Sequence, residues 1–206
     1  MAVHDPTSTT VVLDLGEVLA SPRTLLAVLA AHAGAEEAAL TSAYWAHREP
    51  HDRGGDADRY WRAVLGEVGV GEDEALLKTL RETDAQAWTT LRHDARATLA
   101  DLHEAGVRVA ILSNAPHPMA RAARASDWAR WVDAWFFSAE LGVAKPDDAV
   151  YALVTAALGV PGEQLVFFDD RQVNVDGALR AGWDAHLWTS GARTRQALRA
   201  MGLLVS

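Results

Sequence analysis

The chain has 206 residues and a mass of 22.2 kDa, enough for one large domain or a core with a modest insertion. Half of its residues are hydrophobic and 23% are charged, which excludes disorder, collagen-like repeats and coiled coil as the main architecture. A net charge of −9 and a pI near 5.3 argue against nucleic acid or an anionic membrane as partner, and the absence of cysteine excludes disulfides, a thiolate nucleophile and a Cys-ligated zinc.

Residues 1–10 have neither the basic nor the apolar region of a secretory signal. No stretch approaches the roughly 18 apolar residues of a membrane span, so a cytoplasmic protein is expected. Val11-Val12-Leu13 reads as a buried strand that meets a turn at Asp14-Leu15-Gly16. From Ser21 to Trp88 apolar residues recur at three- and four-residue spacing, as in Leu25-Leu26, Val28-Leu29, Tyr44-Trp45, Tyr60-Trp61 and Val64-Leu65. Within it, Glu49 to Asp58 holds Pro50, Gly54 and Gly55 and is predicted as a loop.

Beyond Trp88 helices and strands alternate. A helix over 94–104 leads into a strand at Val107–Leu112 that ends at Ser113-Asn114. A helix near 119–125 precedes the apolar Trp135-Phe136-Phe137, and another runs from Pro146 to Leu158. Leu165–Phe168 is a strand ending at Asp169-Asp170, followed by a helix over 174–181, a strand at His186-Leu187-Trp188 and a helix from Thr194. Uniformly apolar strands alternating with helices predict an α/β fold, a doubly wound, Rossmann-like parallel sheet covered on both faces. The helical stretch after the first strand breaks that alternation and is placed as an inserted cap: residues 20–88 form the cap domain, and 1–19 with 89–206 the α/β core.

Ligands of open parallel sheets bind at the carboxyl ends of the strands. Asp14, Ser113-Asn114 and Asp169-Asp170 all fall at that edge. Of the 19 basic residues only Lys78 and Lys145 are lysines, and Lys145 lies in Gly142-Val143-Ala144-Lys145-Pro146, just before a helix. Carboxylates from two strands suit a hard cation such as Mg2+. A lysine and a hydroxyl beside them suit a phosphate, and an Asp at such a place can act as a nucleophile. Each residue also has a plainer role: Asp14 as a turn residue, Ser113 as a helix cap, Lys145 as a surface cation, Asp169-Asp170 as loop charge.

Four segments in order carry a resemblance: Val12–Leu19, Ile111–Asn114, Gly142–Asp147 with Tyr151, and Phe167–Ala178 closed by Ala181-Gly182. Together they resemble the haloacid dehalogenase-like (HAD) hydrolases, in the branch with a helical cap inserted after the first strand. The resemblance implies that Asp14 is the nucleophile and a Mg2+ ligand, with Asp170 and the backbone carbonyl of Gly16 as further ligands. It implies that Asp169 and Asn174 support the metal and its waters from outside. Ser113 and the backbone N–H of Asn114 would hold phosphoryl oxygens, and Lys145 would neutralise the nucleophile and the developing charge.

One position departs from the family's phosphatases, many of which carry a second Asp two residues after the nucleophile as acid and base. Here Gly16 stands there, and Glu17 is the nearest candidate acid/base in sequence. The expected activity is Mg2+-dependent hydrolysis of a small organic phosphate monoester through an aspartyl-phosphate. The alternatives are a 2-haloacid dehalogenase working through an aspartyl ester, for which Arg23 is a loose match to a halide-binding Arg, and a weakly active or non-catalytic phospholigand-binding member. Tyr44, Trp45, Tyr60, Trp61 and Trp88 are assigned to the cap's core, and His47, His51 and Arg53 to a solvated face. Substrate identity and oligomeric state stay open.

Overall fold

In the computed structural model, which describes residues 3–204, five parallel strands form one sheet in the order β3-β2-β1-β4-β5. β1 (Thr10–Leu13) is central, between β2 (Arg108–Ser113) and β4 (Leu165–Asp169), with β3 (Ala134–Phe137) and β5 (Asp184–Leu187) at the edges. Leu13 lies opposite Ile111 and Phe168, so Asp14, Ser113-Asn114 and Asp169-Asp170 emerge together at one edge.

The pleat divides each strand between two cores. Val11, Leu13, Ile111 and Phe168 face α6 (His93–Glu104), α7 (His117–Arg124) and α11 (Gly191–Ala200). Val12, Leu112, Leu165 and Phe167 face α9 (Asp148–Leu158) and α10 (Gln172–Arg180). With both faces covered, no strand position favours a polar residue, which explains the unbroken apolar runs. α10 is held close to α9 at Gly177, where an added Cβ would lie 2.7 Å from the Tyr151 ring, and the Tyr151 hydroxyl donates to the Asn174 carbonyl at 2.7 Å. That contact fixes the start of α10 beneath the strand ends.

Five helices stand between β1 and α6: α1 (Leu25–Ala33), α2 (Glu37–Ala46), α3 (Arg48–Asp52), α4 (Ala57–Glu67) and α5 (Glu74–Thr89). They bury a cluster of their own, which includes Leu29, Leu40, Tyr44, Trp61, Val64 and Leu80. Acidic side chains start three of them: Glu36 accepts the Ala39 amide, Asp56 that of Arg59 and Asp73 that of Leu76, at 2.7–2.8 Å. α5 packs on α7, and α3 on α8 (Ser138–Leu141).

The predicted loop over 49–58 is in part helical, since α3 occupies 48–52. Pro50 is the third residue of this helix, where the amide has no intrahelical acceptor, so a proline costs no hydrogen bond. The loop shrinks to the Gly54-Gly55 turn. β5 covers 184–187 rather than 186–188, and α11 starts at Gly191 because the Ser190 hydroxyl accepts the Arg193 amide at 3.3 Å. Among the described residues no helix is long and apolar enough to cross a membrane.

Candidate active site

Asp14 follows β1 directly; its amide donates to the Phe168 carbonyl at 3.0 Å, which extends the ladder one residue past the strand. The residue is 8% exposed, and its carboxylate accepts the Leu15 amide at 2.8 Å. Lys145, also buried, reaches this edge from the loop before α9 and directs its ammonium at three acceptors. Asp14 Oδ1 lies at 3.0 Å, Asp169 Oδ2 at 2.6 Å and the Leu112 carbonyl at 2.8 Å. An ammonium has three protons, and all three have acceptors here. Burial pushes the Asp14 carboxyl up to about 6, with Asp169 and Asp170 adding to the rise and Lys145 opposing it. Lys145, held by two carboxylates against its own desolvation, is raised.

Asp169 is fully buried and both its oxygens are engaged. Oδ2 takes Lys145, while Oδ1 accepts the Arg171 amide at 2.9 Å and the Asn174 side-chain amide at 2.8 Å. Asp170 is partly buried, and burial together with Asp169 raises its carboxyl. Asp14, Asp169 and Asp170 offer oxygens that all lie within 4.8 Å of one another. Asn174 Oδ1 is buried without a hydrogen-bond donor. Three carboxylates against one ammonium leave an excess of negative charge, and every donor atom is a hard oxygen. This set fits Mg2+, with Asp14 and Asp170 holding the oxygens that protein donors do not consume.

Ser113 is buried at the end of β2 and lines the cleft above Asp14. The side chain of Asn114 is engaged by the Lys145 backbone: Nδ2 donates to the Lys145 carbonyl at 2.8 Å and Oδ1 accepts the Lys145 amide at 2.9 Å. This two-point clamp, next to a cis Lys145–Pro146 bond, ties the lysine loop to β2. The Gly16 carbonyl accepts the Val18 amide at 2.6 Å. Glu17 has φ of 56°, in the left-handed region, and its carboxylate accepts the Ser21 hydroxyl at 2.7 Å. Arg92 braces this turn by donating to the carbonyls of Glu17 and Val18 at 2.6 and 2.8 Å.

A cleft of about 500 Å3 opens over these groups. Its far wall comes from the inserted helices: Trp45, Arg48, Glu49, Asp52, Arg53 and Trp88. Trp45 is 51% exposed and meets Trp88 edge-on at 6.5 Å, so these two aromatics line the cleft, whereas Tyr44, Tyr60 and Trp61 are core. A Cβ built on Gly16 would lie 3.6 Å from the Trp88 ring, an ordinary van der Waals contact. A wider groove of about 1110 Å3 between α5 and α7 holds none of the strand-edge residues. Arg23 is exposed and outside the cleft. His47 pairs with Glu67 at 2.8 Å on the surface, and Arg53 with Asp147 at 3.0 Å. His51 stacks on Tyr60 at 4.4 Å and is held down to about 4 by burial and by Arg48, so it is neutral.

Sequence patterning did not bring out the group around Arg48, which is buried between α2, α3 and α5. Its Nε donates to Asp52 Oδ1 at 2.7 Å, and its Nη1 to Asp84 Oδ2 at 3.3 Å and to the Tyr44 hydroxyl. The Tyr44 hydroxyl donates to Asp84 at 2.7 Å and accepts the Trp88 indole N–H at 3.0 Å. The four-residue spacing of Tyr44, Arg48 and Asp52 was the available signal, but Asp84 is distant in sequence. Burial raises Asp52 from the ordinary 3.8 to about 6, Arg48 opposing. Between pH 4 and 6 the folded state therefore keeps a proton that the unfolded chain loses, so this residue lowers stability as pH rises through that window. Asp52→Asn is expected to gain on the wild type by up to about 3 kcal/mol between pH 4 and pH 7.5 in urea unfolding. An equal difference at both pH values would show that Asp52 ionises freely in the fold.

A family model of haloacid dehalogenase-like hydrolases matches residues 9–182. The chain belongs to the haloacid dehalogenase-like hydrolases. Phosphatase MT3486 of Mycobacterium tuberculosis (strain CDC 1551 / Oshkosh) is 34% identical over 107 residues, 50% of this chain and 48% of that protein. (S)-2-haloacid dehalogenase 4A of Burkholderia cepacia is 35% identical over 92 residues, 44% of this chain and 40% of that protein. The matched segments thus span about half or less of each relative's length. Among solved structures, a dehalogenase superposes with a TM-score of 0.76 at 22% identity, covering 94% of this chain and 98% of its own. The magnesium complex of the HAD-family enzyme bt-2542 from Bacteroides thetaiotaomicron gives 0.75 at 16% identity, covering 94% and 99%. These structural likenesses establish the HAD fold. Family membership, with relatives named as a phosphatase and a dehalogenase, makes the chain a hydrolase of this superfamily.

Proposed function

We propose that this HAD-like hydrolase is a Mg2+-dependent phosphohydrolase acting on a small organic phosphate monoester through an aspartyl-phosphate at Asp14. The observation that carries the reading is the oxygen cluster of Asp14, Asp169 and Asp170 beside a fully engaged Lys145. Asp14 and Asp170, with the Gly16 carbonyl, would hold the metal, while Asp169 and Asn174 orient that set from outside. Bound Mg2+ supplies positive charge that offsets the phosphoryl oxygens as the carboxylate approaches them.

Lys145 holds Asp14 ionised and aimed along the β1 edge, and its charge favours the developing negative charge in the transition state. The Ser113 hydroxyl and the Asn114 backbone N–H hold phosphoryl oxygens, and the Asn114 side chain acts through Lys145 rather than on substrate. Residues 20–88, which hold α1–α4 and all but the last residue of α5, act as a cap over the core of 1–19 and 89–206, with Trp45 and Trp88 excluding water from the cleft. Dehalogenation of a 2-haloacid is the second reading, favoured by Gly16 and by the name of the Burkholderia relative. Against it stand Arg23, which is outside the cleft, and a carboxylate cluster that such a reaction does not use.

Purified protein is expected to hydrolyse p-nitrophenyl phosphate with Mg2+ and to stop when a chelator is added. Chloride release from 2-chloropropionate without metal, and no turnover of the phosphate, would establish the dehalogenase instead. Neither activity, with retained phosphate binding, would leave a phospholigand-binding protein.

A further inference from the structure

A phosphohydrolase with glycine at position 16 lacks the carboxylic acid that would protonate a poor leaving group, and the Trp88 ring lies beside Gly16. Three carboxyls outside the metal cluster line the cleft, Glu17, Glu49 and Asp52, of which Glu49 is exposed and paired with Arg53 at 3.3 Å. Glu17 is exposed, and its carboxylate is occupied by the Ser21 hydroxyl at 2.7 Å. Asp52 is placed differently. We propose that Asp52 is the acid that protonates the leaving-group oxygen, delivered from the inserted helices in place of the side chain that Gly16 lacks; the inference rests on the phosphohydrolase reading.

Three observations carry it. First, the end of α3 is clamped to the core at three successive residues. The Ser138 hydroxyl donates to the Asp52 carbonyl, Arg53 pairs with Asp147 at 3.0 Å, and Gly54 lies so close to α8 that an added Cβ would be 2.9 Å from the Ala139 carbonyl oxygen. Ser138 also accepts the Ala115 amide at 2.9 Å, so one hydroxyl joins the end of β2, where Ser113 and Asn114 sit, to the backbone of Asp52. Second, Asp52 shares one guanidinium with Asp84. Arg48 offsets the charge of only one of the two carboxyls, the buried Asp84 and the partly buried Asp52, and the uncompensated charge favours a bound proton. Asp84 does not line the cleft; burial raises its carboxyl too, but the donors Tyr44 and Arg48 both favour its charge. Among the described residues the Asp52 carboxyl accepts only from Arg48 Nε, at Oδ1, and it lines the cleft, which leaves Oδ2 free to take up and give a proton there. Third, the groups that face Asp52 leave this assignment standing: Arg48 on its own helix, Tyr44 on α2, Tyr60 on α4, Asp84 on α5 and Ser138 from the core. Burial holds the carboxyl near 6, the range in which an acid can give and regain a proton at neutral pH.

The steps balance. An Asp14 oxygen bonds to phosphorus as the bond from phosphorus to the alcohol oxygen breaks, and that oxygen takes the proton of Asp52. The Asp52 carboxylate then takes a proton from the water that attacks the aspartyl-phosphate. The bond between phosphorus and Asp14 breaks, phosphate leaves, and Asp52 is again protonated.

The test compares kcat/KM for ethyl phosphate, a poor leaving group, with that for p-nitrophenyl phosphate, a good one, in wild type, Asp52→Asn and Glu17→Gln. Asp52→Asn is expected to lower the alkyl-to-aryl ratio by about 100-fold or more. It should also give a burst of p-nitrophenol, because the second step loses its base. Any unfolded fraction lowers both substrates alike and cancels in the ratio. A ratio unchanged in Asp52→Asn, or a fall confined to Glu17→Gln, overturns the proposal while the wild-type activity keeps the phosphohydrolase reading. Wild type that hydrolyses neither ester overturns both.

Discussion

Asp14→Asn is expected to lower turnover of p-nitrophenyl phosphate by about 10^4-fold or more while leaving the protein folded. The amide has the shape of the carboxylate and keeps an oxygen for the Leu15 amide and for Lys145, which lie at 2.8 and 3.0 Å from Asp14 Oδ1. It loses the negative oxygen that attacks phosphorus, and no neighbouring carboxylate can replace it, because Asp169 is committed to Lys145, Arg171 and Asn174. Folding does not suffer, since three carboxylates face one ammonium here and removing one leaves Lys145 paired with Asp169. Mg2+ supplies a second readout. A ligand that binds only the folded state stabilises it by about 2.7 kcal/mol at 100 times its dissociation constant. Thermal melting of the wild type should therefore rise with Mg2+, and that of Asp14→Asn should rise much less. Turnover within 10-fold of wild type in this variant would remove the aspartyl-phosphate route.

How much of this was legible in the sequence depends on whether a residue acts alone or through a partner. The strand-edge residues were legible because β1, β2 and β4 are short apolar runs that end abruptly in polar residues, and adjacent parallel strands bring such ends together whatever the details of register. The two lysines show how scarcity misleads when used by itself: Lys78 is exposed beside Glu82, at 2.7 Å, whereas Lys145 is buried among three acceptors. Only the loop before α9 separates them. Helix α3 was hidden because Pro50 and the following glycines read as a loop, though a proline in the first turn removes no hydrogen bond. The Arg48 cluster was hidden for another reason. Arg48 and Asp52 lie one turn apart, but Asp84 reaches them from a helix thirty-odd residues later, and no periodicity announces which faces of α3 and α5 will meet. For Asn114 only the backbone N–H was assigned a role, and the hold of its side chain on the Lys145 backbone, 31 residues away, left no signal in the sequence.

Lys145→Met is expected to cost about 3–5 kcal/mol of stability and to lower activity by about 10^2-fold or more. The methionine fills the space of the lysine stem but leaves Asp14 and Asp169 buried and facing each other without a cation, and the Leu112 carbonyl without its donor. Breaking a buried ion pair on one side is costly because the remaining charge is stranded away from water. Lys145→Arg is not a conservative remedy: a planar fork cannot point one proton at each of three acceptors grouped around a single nitrogen. The pH dependence follows from the same charges. Burial already makes Asp14 hold its proton more tightly in the fold than in the unfolded chain, and loss of the opposing ammonium strengthens this, so stability falls as pH rises above the ordinary carboxylate range. The deficit of Lys145→Met against wild type should therefore be larger at pH 8 than at pH 5 in urea unfolding, and Mg2+ should restore part of it by placing a cation among the same oxygens. Equal unfolding midpoints for the two proteins at pH 8 would show that Lys145 does not hold the site together.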